Sequence, residues 1–261
     1  MKQDKRIHVL VTGATGGIGR GICNALVELA RYEGKTLHLT AVGSQAGERL
    51  EQLANELSAQ DVQVLGLGAD VTDPQACQTM VDNAIRQGGE LNAVVCVAGA
   101  SGPGRLADLP VEQWDLTFNL NTRSVWLIAR AARTSLMKTR GSITAVASMS
   151  GLQPHPGYGA YSPAKAALVM LCRQLAQEWG PDGIRTNSVC PGMIRTPLTE
   201  PVYQDREILH NREALVPIGR IGQPNDIGQA VSYLASERAS YVNGVSLVVD
   251  GGVSDHMLAT I

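Results

Sequence analysis

The chain has 261 residues, of which 44% are hydrophobic and 18% charged, enough for one substantial core and ordinary for a soluble globular protein. Its formal net charge of -2 gives no basic field for nucleic acid and no polybasic segment for a membrane surface, and no apolar run reaches the length of a membrane span. Nucleic-acid and membrane partners are thereby excluded, leaving small molecules or further copies of the chain.

In chain order, apolar strand-like runs alternate with helix-length amphipathic stretches: 7–12 then 19–32, 36–42 then 48–58, and 62–69 then 74–87. The same beat continues through 93–98, 114–139, 141–147, 162–179, 184–190 and 245–249. Near-continuous apolar strands separated by helices imply a parallel sheet covered on both faces, a doubly wound α/β fold in a single domain over 1–261. Residues 197–217 lie between two prolines, break the alternation, and are expected to form a mobile lid. The five cysteines, at 23, 77, 96, 172 and 190, are scattered and mostly set in apolar runs, so they are expected to be reduced and buried. The polar start, Met1–Arg6, leads into a strand without a signal peptide, and a cytoplasmic protein is expected. The five histidines are dispersed and no Cys/His pair has ligand spacing, so no metal is expected.

The first strand runs into Gly13-Ala-Thr15-Gly16-Gly17-Ile18-Gly19. Glycines at such a turn let the backbone bend tightly and approach a ligand, while the free amides and positive end of the next helix favour a pyrophosphate. A dinucleotide site follows. Asp70, at the end of the third strand, is assigned to an adenine amino group, and Asp73, just before Pro74, to a helix cap. The end of the second strand, Gly43-Ser44-Gln45, has neither an acid to hold an unmodified ribose nor an Arg to hold a 2′-phosphate. Ser44 and Gln45 can donate to a phosphate and no carboxylate repels one, which tilts the expectation toward NADP, with NAD the alternative. Arg20 and Arg49 are further cations whose direction is open.

Tyr161 and Lys165 are four residues apart, on one face of a helix, where the ammonium can act on the phenol. A phenol with a pKa near ~10 is idle at neutral pH, and a nearby cation that favours phenolate makes it a general acid or base.

With Thr12-Gly-Ala-Thr-Gly-Gly-Ile-Gly19, Asp70-Val71, Asn121 in Phe118-Asn-Leu-Asn121, Ser148, Tyr161-Ser-Pro-Ala-Lys165, Pro191-Gly192 and a closing Val245-Ser-Leu-Val-Val-Asp-Gly-Gly252, the chain resembles the compact branch of the short-chain dehydrogenase/reductase family. The match runs almost end to end and implies a Rossmann-type fold. It also implies that Tyr161 exchanges a proton with the substrate oxygen as hydride moves to or from a nicotinamide. Lys165 would lower the phenol's pKa and bond the nicotinamide ribose, Ser148 would bind the substrate oxygen, and Asn121 would hold a water joining Lys165 to solvent. Ser150 is the rival of Ser148. Ala98-Gly99 would meet the cofactor ribose, and Pro191-Gly192-Met193-Ile194-Arg-Thr196 would fold over the nicotinamide, with the Ile194 backbone and Thr196 hydroxyl at its carboxamide. Homotetramers built on helices at about 103–139 and 162–179 and on the last strand with its tail, 253–261, are implied by the same resemblance.

The chain departs from the family at Cys96-Val97-Ala98-Gly99, which lacks an amide side chain that normally ties neighbouring strands, and at the missing ribose determinant after the second strand. Gln153, His155, Tyr158 and Met193, with the lid at 198–214, are the candidates for the substrate pocket beside Ser148 and Tyr161. The expected activity is hydride transfer between NADP or NAD and a small alcohol or carbonyl compound. Reduction of a 3-oxoacyl thioester is the alternative, and a cofactor-binding scaffold without catalysis is the alternative of another kind.

Overall fold

The structure, a computed structural model, describes residues 6–60 and 62–255. The polar start before Arg6 and the tail end at 256–261 lie outside the described residues. Strands β1 (Arg6–Thr12), β2 (Thr36–Gly43), β3 (Gln63–Gly68), β4 (Ala93–Cys96), β5 (Ser142–Val146), β6 (Arg185–Pro191) and β7 (Ser246–Val249) form one sheet in the order β3-β2-β1-β4-β5-β6-β7. All six pairings are parallel.

Helices cover both faces, which is why the inner strands are apolar at every position rather than at alternate ones. In β1, Val9 and Val11 enter a core with α1 (Gly17–Tyr32), α2 (Glu48–Ser58) and α9 (Pro224–Ala235), through Ile22, Leu26, Leu53 and Ile227. Leu10, between them, enters the opposite core with α3 (Pro74–Gly88), α5 (Ser124–Thr139) and α6 (Tyr161–Trp179), through Val81, Ile128, Leu136 and Leu168. The two-residue period of a strand thus feeds two cores at once. All five cysteines are buried and unpaired, as the apolar runs around them suggest.

One expectation is corrected and two features are added. The helix expected over 114–139 runs from Val111 to Thr139, as α4 (Val111–Phe118), a π-helical turn at Asn119–Arg123 and α5, and does not reach back to 103. Residues 197–217 hold α7 (Glu200–Tyr203) and α8 (Arg206–Ala214), the second capped by Asp205, whose side chain accepts from the Glu207 and Ile208 amides. Helix α9 has no counterpart among the sequence expectations. Its signals were Pro224 in the first turn, a capping box between Gln223 and Asp226, and apolar Ile227, Val231 and Leu234 on one face.

Candidate active site

Because β1 lies between β2 and β4, the chain leaves the sheet in opposite directions on its two sides, and a crevice opens at the carboxyl ends of these strands. The turn after β1 enters it. Gly13 has φ 65°, and a Cβ there would stand 2.8 Å from the Ala98 nitrogen. Gly16 precedes α1 with no side chain capping the helix, so its first amides face the crevice end unpaired by a cap. A Cβ on Gly17 would come within 2.7 Å of the Thr196 Cβ and 3.0 Å of the Pro197 ring, so the 196–197 segment lies directly against the start of α1. Gly19 has no room for a Cβ against the Gly13 carbonyl. Bare backbone, an uncapped helix start and a covering segment fit a pyrophosphate-bearing cofactor.

Around this turn the other cofactor candidates are arranged as follows. Ala98 and Val97 donate their amides to the Thr12 hydroxyl at 3.4 and 3.2 Å, so Thr12 supplies a tie between β1 and the end of β4 where the family's amide side chain is missing. Thr15 lies beside Gly43, its Oγ1 3.9 Å from where a Gly43 Cβ would be, and Ser44 and Gln45 are exposed just beyond. Arg20 is turned to α2, where it pairs with Glu56 at 2.7 Å. Asp70 is exposed at the end of β3, and its Oδ1 accepts from the Thr72 amide at 2.9 Å and hydroxyl at 2.7 Å, which hold its carboxyl below the usual range. Val71 is buried and its carbonyl accepts from the Cys77 thiol. Asp73 caps α3, accepting from the Gln75 and Ala76 amides.

Past β5, Ser148 accepts from the Ser150 amide at 3.0 Å and opens a short 3₁₀ turn, Met149–Gly151. Tyr161 is the first residue of α6 and Lys165 stands one turn on. A Cβ on Gly151 would lie 2.8 Å from the Lys165 carbonyl, so this turn packs backbone to backbone against α6 and brings Ser148 to Tyr161. Burial raises the Tyr161 pKa, and hydrogen bonding to Ser148 pulls it back. Lys165 is 4% exposed. Its Nζ lies 5.7 Å from the Tyr161 ring centroid and donates to the Val146 carbonyl at 2.9 Å, and burial lowers its pKa to about 8. The spacing led to the expectation that the cation would bring the phenol down. In this structure the phenol's pKa is raised, by burial first and then by Tyr158, with the Ser148 hydrogen bond opposing.

Asn121 sits in the π turn rather than in a regular helix, fully buried, with Nδ2 donating to the Ala100 and Thr117 carbonyls at 2.9 Å each. Its Oδ1 is buried without a protein partner. A Cβ on Gly99 would lie 2.7 Å from that oxygen and 3.3 Å from the Lys165 Nζ, so the two groups are neighbours across a bare backbone position. The Thr122 hydroxyl ties this turn to α6 by donating to the Ala164 carbonyl at 2.7 Å.

The rival serine is spoken for: Ser150 is buried, with its hydroxyl 3.0 Å from His155 Nδ1. His155 stacks on Tyr158 with ring centroids 3.7 Å apart, and the Tyr161 amide donates to the Tyr158 carbonyl. Gln153 is exposed at the end of the 3₁₀ turn. Met193 lines a cavity of about 130 Å³ with Ile194, Arg220, Gly222, Asp226 and Asp250. Pro191 ends β6, and Gly192, which a Cβ would drive to 2.5 Å from the Asp250 Cβ, bonds the Val249 carbonyl. Thr199, which sequence reasoning did not single out, takes up the two groups assigned to a carboxamide: its hydroxyl donates to the Ile194 carbonyl at 2.9 Å and lies 3.2 Å from the Thr196 hydroxyl. Among the described residues no group of three or more His, Cys, Asp or Glu could hold a metal ion, and no helix is long and apolar enough to cross a membrane.

An all-parallel sheet of this order, with Ser148, Tyr161, Lys165 and Asn121 gathered at its carboxyl edge, defines a Rossmann-type nucleotide fold, and relatives agree. A family model described as enoyl-(acyl carrier protein) reductase matches residues 13–254. The chain is 32% identical over 251 residues to the oxidoreductase UcpA of Salmonella typhimurium, covering 93% of this chain and 92% of that one. It is 35% identical over 245 residues to a cyclopentanol dehydrogenase of a Comamonas species, covering 94% and 95%. Among solved structures, a putative NAD(P) dependent gluconate 5-dehydrogenase from Beutenbergia cavernae with bound NADP superposes with a TM-score of 0.86 at 28% identity, over 95% of this chain and 96% of that one. The chain belongs to the short-chain dehydrogenase/reductase family of oxidoreductases.

Proposed function

We propose that this chain moves a hydride between a nicotinamide dinucleotide and a small alcohol or ketone, with Tyr161 as general acid and base. The observation that carries this reading is the meeting of Ser148, Tyr161, Lys165 and Asn121 beside the uncapped start of α1. The bound cofactor supplies the chemistry of hydride gain or loss at its nicotinamide ring. Tyr161 gives its phenolic proton to the carbonyl oxygen in reduction and takes the hydroxyl proton in oxidation. Ser148 donates to the same oxygen and steadies the charge that develops on it. Lys165 makes phenolate less costly and meets the ribose, while Asn121 Oδ1 holds the water that resupplies the proton. Gly13 to Gly19 cradle the pyrophosphate, with Ala98 and Gly99 at the ribose, Asp70 and Val71 at the adenine, and Gly192 to Thr196 at the nicotinamide.

The carboxylate-free Gly43-Ser44-Gln45 supports NADP over NAD, and the NADP-bound relative is consistent with it. A single domain working in the cytoplasm as a homotetramer completes the reading. Reduction of a 3-oxoacyl thioester stands as a second reading, because the matching family model is described by a reductase of another acyl thioester, an enoyl-(acyl carrier protein). A non-catalytic scaffold is disfavoured, since it has no use for the unpartnered Asn121 oxygen beside a buried ammonium.

Tyr161→Phe is expected to abolish turnover across a panel of alcohols, ketones and acyl thioesters, while NADPH still binds, more tightly than NADH. Fluorescence titration with each cofactor and steady-state rates check this. Near-normal turnover by the variant would overturn the mechanism, and tighter NADH binding the cofactor assignment.

A further inference from the structure

Ser148 and Tyr161 stand on different elements, and one residue between them is bonded to both elements. Ser148 opens the short turn Met149–Gly151 after β5, whereas Tyr161 begins α6. His155 Nδ1 lies 3.0 Å from the hydroxyl of Ser150, in that turn. Whichever ring nitrogen carries the proton, the two side chains share one hydrogen bond, because a hydroxyl both donates and accepts. On the other side, the His155 amide donates at 3.1 Å to the hydroxyl of Ser162, in the first turn of α6. The ring stacks on Tyr158 with 25° between the planes, and the Tyr158 carbonyl accepts from the Tyr161 amide at 3.0 Å.

The loop that carries His155 is anchored independently of Ser148. The Gly157 carbonyl accepts from the Gly104 amide at 2.8 Å, and the Gly159 amide donates to the Gly104 carbonyl at 2.9 Å. A Cβ on Gly159 would lie 3.2 Å from the Leu109 side chain, so this loop is packed as well as bonded. His155 is thus a fixed post, and the buried Ser150 is the part held against it.

Ser150 in turn fixes Ser148, because its amide donates to the Ser148 hydroxyl oxygen at 3.0 Å. With one lone pair facing that N–H, the Ser148 proton is directed away from the turn and left to donate. Removing His155 would leave the Ser150 hydroxyl buried without its partner, a cost the turn relieves by shifting, and Ser148 shifts with it.

Resting on the hydride-transfer reading above, we propose that His155 is a positioning residue: through the Ser150 hydroxyl it holds Ser148 at the distance and direction from Tyr161 that proton transfer needs. Its part in the reaction is exerted through Ser150 rather than by binding substrate.

The test is a double-mutant cycle on kcat and KM, with a substrate found in the panel of alcohols, ketones and acyl thioesters, and an NADPH titration of each variant. His155→Phe keeps a stacked ring and removes Nδ1, Ser150→Ala removes the hydroxyl that meets it, and the double variant removes both. Each single change is expected to lower kcat by roughly 10- to 100-fold, since a misplacement of about 1 Å at a reacting group costs on the order of 10²-fold. KM and NADPH affinity are expected to stay as in the wild type. The double variant is expected to be no slower than the slower single one, because the two residues act as a unit. His155→Asn, whose amide group stands where Nδ1 does, is expected to restore part of kcat. A loss in KM alone makes His155 a substrate contact and overturns the proposal. Losses that multiply in the double variant, or single variants at the wild-type rate, overturn it too. So does a merely structural bond, which would weaken NADPH binding together with kcat. A wild-type enzyme that turns over nothing in the panel overturns the hydride-transfer reading, and the role of His155 with it.

Discussion

At 4% exposure the Lys165 ammonium has exchanged water for the Val146 carbonyl and the neighbourhood of the Asn121 oxygen. Such burial disfavours the charged form, and its pKa falls from 10.5 to about 8. Between those two values the unfolded chain binds a proton that the folded chain does not, so this residue destabilises the fold below pH 8 and does so progressively less as pH rises toward 10.5. Lys165→Met, which keeps the volume and removes the charge, is expected to stabilise the protein at neutral pH by about 1–3 kcal/mol after the loss of the Val146 bond. It should also abolish turnover. Denaturant unfolding at pH 7 and pH 10 checks this, with the gain expected to shrink at the higher pH. Lys165 and Tyr161 were legible as a pair because a helix repeats every turn. The Asn121 geometry was not, because the π turn that carries it packs against α6, where the Thr122 hydroxyl donates to the Ala164 carbonyl.

Helices α1 and α9 meet where neither has a side chain. A Cβ on Gly21 would stand 2.5 Å from the Pro224 backbone, and one on Gly228 would run into the Gly21 carbonyl and come within 2.9 Å of the Ala25 Cβ. Because α1 also begins at the cofactor turn, its seat on α9 sets the direction of its first amides. Gly228→Ala is expected to cost about 1–3 kcal/mol by overpacking and to weaken cofactor binding at a distance. Thermal melts with and without NADPH check this: a loss of stability with unchanged cofactor shift would separate the two effects. Sequence periodicity made α1 visible but left α9 unread. In 218–224, glycine and proline punctuation reads as loop, and only the contact with Gly21 explains why a small residue is needed at Gly228. The 197–217 segment shows the same limit: its mixed polar and apolar residues break the alternation, whereas the structure buries Tyr203 and, with the Asp205 cap, forms two short helices there.

On the scale of the whole molecule, the sheet has a chemical end and a structural end. The carboxyl ends of its strands hold the candidate site, while near its amino end His8, at 2% exposure, bonds the Gly89 carbonyl and the Thr40 hydroxyl at 2.9 Å each. Burial lowers the His8 pKa from 6.5 to about 4, so the folded protein keeps this ring neutral where the unfolded chain would take up a proton. Stability from this residue is fully present above pH 6.5 and is lost as pH falls toward 4, by an amount on the order of 3 kcal/mol. His8→Gln is expected to flatten the acid limb of the stability curve, measured as unfolding free energy against pH. By itself the sequence determined the parallel α/β class, the cofactor turn, the buried cysteines and the order of Ser148, Tyr161 and Lys165, because each is written in local period, glycine placement or short spacing. Only the tertiary structure decided that the Tyr161 phenol is raised by burial, that the Asn121 oxygen is buried beside Lys165, and that the Ser150 hydroxyl meets His155. Those outcomes depend on which elements pack together, and the field and burial at a side chain come from neighbours far away in the chain.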